Sequence, residues 1–324
     1  MTSLEAIKSL KSQMLSKVIG QEELIDKIII SLLARGNILI EGLPGLAKTR
    51  AVKTLSQIID AKFSRIQFTP DISTEDILGE ERVYEDNGKR LYKFHKGAIF
   101  GNIILADEIN RAPAKVQSSM LEAMEERQVT VVGQVLPLPK LFMVLATQNP
   151  IEQYGTYPLS EAQKDRFLIH TKVDYVKMDD EYKMLKLLQQ ENIQTQENIQ
   201  KISQDFIFQA QAEVAKVEIP EDLGKYIVEL VFSTRYPLRY SKQLSVMIDI
   251  GVSPRGTLAL SQCAQAYAWL NNKSSIRVQD IHAVIHDVFR HRIIESKHTK
   301  ENGINIDKIV DIIIDQVPMP KSTL

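Results

Sequence analysis

Two clusters in the first half of the chain could handle a phosphate chain. Gly42-Leu43-Pro44-Gly45-Leu46-Ala47-Lys48-Thr49 follows the apolar run Asn37 to Glu41 and opens a helical stripe of Ala51, Val52, Leu55, Ile58 and Ile59. Glycines let the backbone curl so that successive amides converge on one anion, and a helix start adds partial positive charge. Lys48 can then reach β- and γ-phosphates, and the Thr49 hydroxyl can ligate Mg²⁺. Ala47 stands where the generic pattern has glycine, a sterically mild change. Alone, the octapeptide also reads as a chance glycine-rich turn.

The second cluster is the apolar run Ile103-Ile104-Leu105-Ala106 ending in Asp107-Glu108. A strand beside the phosphate loop would deliver Asp107 to the metal's hydration shell and Glu108 towards an attacking water. Two acids after a strand are often a solvated strand end, but both motifs in order, each on the right element, favour the chemistry. Leu141 to Thr147 then leads into Gln148-Asn149-Pro150, where Asn149 could hydrogen-bond the water or the γ-phosphate. Read alone, that tip is an ordinary Asn-Pro turn.

These residues need a scaffold, and the periodicity supplies one. Asn37 to Glu41, Phe63 to Phe68, Ile103 to Ala106, Leu141 to Thr147 and Leu168 to Val173 read as strands alternating with helices. The pattern predicts an α/β sandwich whose parallel sheet is covered on both faces. Asn87-Gly88 predicts a hairpin between Arg82–Tyr84 and Leu91–Phe94, and Gly133 a second between Gln128–Val131 and Val135–Leu138. Glu181 to Gln190 reads as helix, and the Gln/Asn-rich Asn192 to Gln200 as a linker or loop. Beyond it only helical stripes are expected, among them one starting at the Ser253-Pro254 cap. The expected division is residues 1–191 for a nucleotide-binding core and 192–324 for a smaller all-helical lid domain.

Composition narrows the classes. Lys and Arg total 40 against 41 Asp and Glu over 324 residues, a near-neutral balance that argues against coating nucleic acid. With 44% hydrophobic and 25% charged residues the chain can build a full core. A single cysteine, Cys263, excludes a disulfide framework and fits a reducing cytoplasm. No apolar run is long enough to span a bilayer, and the opening residues mix charge into apolar positions, unlike a signal peptide. His282 and His286 lack the glutamate a zinc protease needs, and they read as residues of a helix flank.

The phosphate-loop octapeptide resembles the MoxR branch of the AAA+ ATPases, where alanine before the lysine is usual. The likeness continues through Gln67–Asp71, Asp76–Gly79, Gly97–Phe100, Leu105–Pro113, Leu121–Val129, Ala146–Glu152, Glu161–Phe167 and Gly251–Arg255. The resemblance implies a P-loop NTPase fold with a five-stranded parallel sheet, the Thr147 strand lying between the strands that end at Glu41 and Asp107. It implies ATP hydrolysis with Mg²⁺ held at Thr49 and Asp107, and a cofactor-binding set of Gly42, Pro44, Gly45, Leu46, Ala47, Lys48, Thr49, Arg50 and Asp107. Val18, Ile19 and Gly20 fall where the family contacts adenine. The catalytic set would be Lys48, Glu108, Asn149, Arg166 and Arg255, with Arg166 as the arginine finger and Arg255 as the second sensor, in cis or in trans. Without the family, Asp165-Arg166 reads as a surface ion pair. The two hairpins would be the helix-2 and pre-sensor inserts that face a ring's central channel.

The resemblance further implies a hexameric homo-oligomer that remodels or matures client proteins, some with a von Willebrand factor A domain, and the near-neutral charge leaves no stable nucleic-acid partner expected. A magnesium-chelatase-like motor subunit and a nucleotide-gated scaffold with little turnover are the alternatives. Ser160 replaces a common proline, and Arg235 to Ile250 is longer and more hydrophobic than the family leads one to expect.

Overall fold

The computed structural model describes residues 1–42, 46, 48–86, 89–131, 133–149, 156–193 and 199–320. Pro44, Gly45 and Ala47, the Asn87-Gly88 turn and Pro150 to Glu152 lie outside the described residues.

Helices α1 (Ser3–Lys17) and α2 (Glu22–Leu33) lead into β1 (Ile38–Gly42). There follow α3 (Lys48–Ile58), β2 (Phe63–Gln67), α4 (Thr74–Leu78) and the hairpin β3 (Gly79–Asp86) and β4 (Lys89–Lys96). Then come β5 (Ile103–Asp107), α5 (Ala114–Glu126), the hairpin β6 (Gln128–Val131) and β7 (Gln134–Pro137), and β8 (Met143–Gln148). α6 (Glu161–Lys164) and β9 (Ile169–Val173) complete the sandwich. α1 went unread in the sequence. It forms because Thr2 Oγ1 accepts from Glu5 N while Thr2 N donates to the Glu5 carboxylate at 2.7 Å. Ala6, Ile7, Leu10 and Met14 then recur on one buried face.

The sheet has five parallel strands in the order β2-β5-β8-β1-β9, so β8 lies between β1 and β5 as expected. Ile38 and Ile40 face one apolar cluster with α1, α2 and α3, and Leu39 faces another with Met120, Leu121 and Met124 of α5. Burial on both faces is why the central strands read as unbroken apolar runs. The hairpins pair from Gly79 with Lys96 to Asp86 with Lys89, and from Gln128 with Pro137 to Val131 with Gln134.

The C-terminal part comprises α7 (Met178–Ile193), α8 (Gln204–Val214), α9 (Glu221–Arg235), α10 (Lys242–Met247), β10 (Ile248–Ile250), α11 (Pro254–Leu270), α12 (Val278–Phe289), β11 (Ile294–Glu295), α13 (Lys297–Glu301) and α14 (Ile306–Gln316). The expectation of helical stripes alone needs correction: β10 and β11 pair antiparallel, Ile248 with Glu295 and Ile250 with Ile294. Segments this short cannot show a period of two in sequence. α7 begins before Glu181 because Asp179 and Asp180 add favourable charge to its first turn. His282 Nε2 lies 2.9 Å from the Tyr226 hydroxyl, and His286 Nε2 lies 3.0 Å from Asp311 Oδ1.

One apolar cluster joins α1, α2 and β1 to α8, α11 and α12. A polar tie crosses the same junction. Arg292, 7% exposed, donates to Asp165 Oδ1 at 2.8 Å and to the carbonyls of Val288 at 2.6 Å and Phe167 at 2.5 Å. Burial pulls the Arg292 pKa down, opposed by Asp165. The Arg292→Ala variant should lose about 3 kcal/mol of stability, because Asp165 and the carbonyls lose a common donor. Denaturant unfolding checks this, and a loss under about 1 kcal/mol would deny the tie its role.

Candidate nucleotide site

All five strands run in parallel, so Gly42, Gln67, Asp107, Gln148 and Val173 end on one edge of the sheet. Register places Gln67 level with Asp107 and Ile40 level with Thr147. Edges of this kind, outside the carboxyl ends of parallel strands, are where α/β folds bind ligands.

Lys48 is the first residue of α3 and is 7% exposed, and its Nζ donates to the Gly42 carbonyl at 2.6 Å. Burial pulls its pKa below the ordinary lysine value, while the carboxylates of Asp107, Glu108 and Glu41 oppose the shift. A phosphate oxygen would offer the Lys48 ammonium a charged acceptor in place of the neutral Gly42 carbonyl, while the three acids beside it call for a cation between them and the phosphates. Thr49 is exposed in the first turn of α3, and Leu46 is buried. At the neighbouring strand tips the Glu41 carboxyl is held down to about 2, chiefly by His170 and also by Gln148 Nε2 at 2.7 Å.

The acidic pair is organised by one hydroxyl. Thr147 Oγ1 donates to Asp107 Oδ1 at 2.7 Å and accepts from Glu108 N at 2.9 Å. Arg65 Nη2 donates to the other Asp107 oxygen at 2.7 Å. Glu108 has φ 58 and ψ 47, a left-handed conformation that costs about 1 kcal/mol or more outside glycine. That reversal turns its side chain off the strand direction, where Asn149 Nδ2 and Gln67 Nε2 donate to its two oxygens at 3.3 and 3.4 Å. Arg111 Nε lies 2.9 Å from Oε2. Lys48, Asp107, Glu108 and Asn149 therefore meet as expected from their order along the chain. Thr147, Gln67 and Arg65 were missed as site residues. A buried threonine closing an apolar run was the available signal for the first.

Val18 is buried at the end of α1, and Gly20 sits at φ +75 with Val176 Cγ1 only 2.8 Å from where a Cβ would stand. Only glycine allows both that backbone and that approach. Ile19 lies between them, half-buried. Arg50 is committed here: its Nε donates to the Lys17 carbonyl at 2.6 Å and its guanidinium pairs with Glu191. It thus borders the expected adenine segment and joins it to the end of α7.

Arg166 and Arg255 lie elsewhere. β9 is level with β1 from Ile169 beside Ile38 to Val173 beside Gly42. Arg166 precedes Ile169 and Lys48 follows Gly42, so they flank opposite edges of the sheet. At about 3.3 Å per residue those edges are roughly 13 Å or more apart. Arg166 Nε lies 3.2 Å from Glu125 Oε2, and Arg255 Nη2 pairs with the second oxygen, Oε1. Ser253 Oγ caps α11 by accepting from Arg255 N at 3.1 Å, and donates to Asp165 Oδ2 at 2.7 Å. Asp165 thus serves Ser253 and Arg292 rather than forming the surface pair with Arg166 that its position suggested. Arg35, Arg127, Arg166 and Arg255 line one cleft of about 350 Å³. The Thr147→Val variant should lose about 1–3 kcal/mol, since Asp107 and the Glu108 amide lose their shared partner. Thr147→Ser should recover most of it in the same unfolding measurement, and equal losses in both would contradict the hydroxyl's role.

Comparison with known proteins agrees with this geometry. Residues 37–169 match the "ATPase family associated with various cellular activities (AAA)", and residues 243–313 match the AAA lid domain. Chaperone MoxR1 of Mycobacterium tuberculosis is 36% identical over 94% of this chain and 80% of its own. The uncharacterized protein YeaC of Bacillus subtilis is 40% identical over 94% and 91%. A Cytophaga hutchinsonii protein whose crystal structure was described as that of a candidate ATPase superposes with a TM-score of 0.91 at 39% identity, covering 98% of this chain and 96% of that one. Lys48 and an acidic strand tip meeting on one sheet edge, together with these likenesses along nearly the whole chain, show that it belongs to the MoxR family of AAA+ ATPases.

Proposed function

We propose that the chain hydrolyses ATP at a pocket it completes only with a second copy of itself, in a hexameric ring. The observation that carries this reading is the separation of the two halves of the site: Lys48 and the acids are on one sheet edge, Arg166 and Arg255 on the other. Arginines on the far edge cannot reach the chain's own phosphates, whereas head-to-tail contact brings one copy's arginines to the next copy's loop. Repeated around a closed rotation, that contact makes a ring.

In this reading Gly42, Leu46, Lys48 and the residues between them bind the triphosphate, with Val18 to Gly20 beside the base. The Thr49 hydroxyl would ligate magnesium and the Asp107 carboxylate would accept from the waters the ion retains, the hard oxygen donors it prefers. When bound there, Mg²⁺ neutralises charge on the β- and γ-phosphates. Glu108 takes the proton of the attacking water and Asn149 orients it, both held by the Thr147 network. Arg166 and Arg255 of the neighbouring copy stabilise the charge that develops on the transferred phosphoryl group.

Residues 1–191 and 192–324 act as two parts whose angle follows the nucleotide, with Asp165 of the first part held by both Arg292 and Ser253 of the second. The β3–β4 hairpin supports a role against protein clients. Val83, Leu91 and Tyr92 are each at least half exposed on it, an unusual apolar load for a solvated ribbon. We take the output to be chaperone-like remodelling of cytoplasmic clients, including von Willebrand factor A domain proteins. The word chaperone in the MoxR1 relative's name supports the remodelling part of this reading. Among the described residues no helix is long and apolar enough to cross a membrane.

Three variants test the chemistry. Lys48→Ala should lose ATP binding in calorimetry. Glu108→Gln should bind ATP and lose turnover by about 10²-fold or more. Arg166→Ala should keep ATP affinity and lose about 10³-fold in kcat. Full turnover in Glu108→Gln would remove the proposed base, and unchanged kcat in Arg166→Ala would remove the finger.

A further inference from the structure

Glu125 sits near the C-terminal end of α5, and no chemistry was assigned to it above. Its two oxygens are divided between Arg166 and Arg255, which come from the segment before β9 and from the start of α11. Three elements distant in sequence thus meet at one carboxylate. We propose that Glu125 is a positioning residue for ATP hydrolysis in the neighbouring copy: it holds Arg166 and Arg255 together as one preformed pair facing outward. The proposal rests on the reading that both arginines act across the boundary between copies.

Charge is the first argument. The cleft around Glu125 is lined by Arg35, Arg127, Arg166, Arg255 and Arg292, while its acids are Glu125 and Asp165, and Asp165 is already engaged by Arg292. A surface built to meet polyphosphate gains nothing from a carboxylate that merely lowers its potential. A carboxylate bridging two guanidiniums is different, because it offsets their mutual repulsion and restricts two long side chains to one arrangement.

Anchoring is the second argument. The end of α5 is fixed by Arg127, whose Nη2 donates to the Arg35 carbonyl at 2.8 Å and whose Nη1 donates to the Phe142 carbonyl. Arg255 is fixed at its own backbone by the Ser253 cap. Exposure is the third. The side chains of Glu125, Arg166 and Arg255 are 33%, 31% and 47% exposed, so the pair is braced from behind and accessible in front. Preorganised charge of this kind acts on the transition state more than on ground-state binding.

The test compares Glu125→Ala and Glu125→Gln with the parent chain by steady-state ATP turnover and by ATP calorimetry. Glu125→Ala should lower kcat by about 10²-fold with the ATP affinity held within about twofold. Glu125→Gln keeps the shape and one acceptor oxygen but not the charge, and should fall between parent and alanine. Glu125→Ala is then mixed with Glu108→Gln. Turnover should return, because the alanine variant's intact pocket meets its neighbour's intact arginines. Parent-like kcat in both Glu125 variants would overturn the proposal, and so would a loss that mixing does not restore. Arg166→Ala mixed with Glu108→Gln runs alongside. If that mixture is restored and the Glu125 mixture is not, only the role of Glu125 fails. If neither is restored, the reading across copies fails and takes the proposal with it.

Discussion

Parallel strands impose a direction, and the rest of this molecule follows from it. Because all five strands run the same way, whatever follows a strand lies on one edge of the sheet and whatever precedes it lies on the other. The phosphate loop, Asp107-Glu108 and Asn149 each follow a strand, and Arg166 precedes one. Within one copy the length of the sheet stands between these groups. If Arg166 serves ATP hydrolysis at all, a second copy has to receive it.

Within the edge that carries Lys48, precision comes from a few polar contacts embedded in apolar surroundings. Thr147 is buried, donates its proton to the Asp107 carboxylate and accepts the backbone N–H of Glu108 on its lone pair. It fixes the direction of Asp107 and the reversal of the chain at Glu108, so the strained residue is also the proposed base. At the far edge the same logic recurs in a more open setting. Asp165 is satisfied by Ser253 and Arg292, which leaves Glu125 to organise Arg166 and Arg255. The two arrangements are linked through β9, whose start follows Arg166 and whose end lies beside Gly42.

Much of this was legible in the sequence because it depends on local pattern. The central strands appeared as short apolar runs, since burial on both faces demands them, and the octapeptide before α3 stood out by its glycine spacing and the helix that follows. Asp107 and Glu108 were placed by the end of their strand. What escaped was set by tertiary contact. Thr147 looked like one more strand residue, and its double role needs the register that puts β8 beside β5. Glu125 was one of several acids on a helix, and only the return of the chain at Arg255 gives it two partners. The β10–β11 pair is too short to imprint a period, and α1 was hidden because its charges were read against a leader segment rather than for a capping box.

The central claim is that one copy's triphosphate is gripped by its own Lys48 and contacted by the next copy's arginines. A cryo-electron microscopy structure of the Glu108→Gln chain with ATP and magnesium tests it most directly. The account predicts a closed ring in which each γ-phosphate lies between Lys48 of one copy and Arg166 and Arg255 of its neighbour. A triphosphate contacted by Arg166 of the copy that binds it, or bound in rings that leave the Arg166 edge facing solvent, would contradict it.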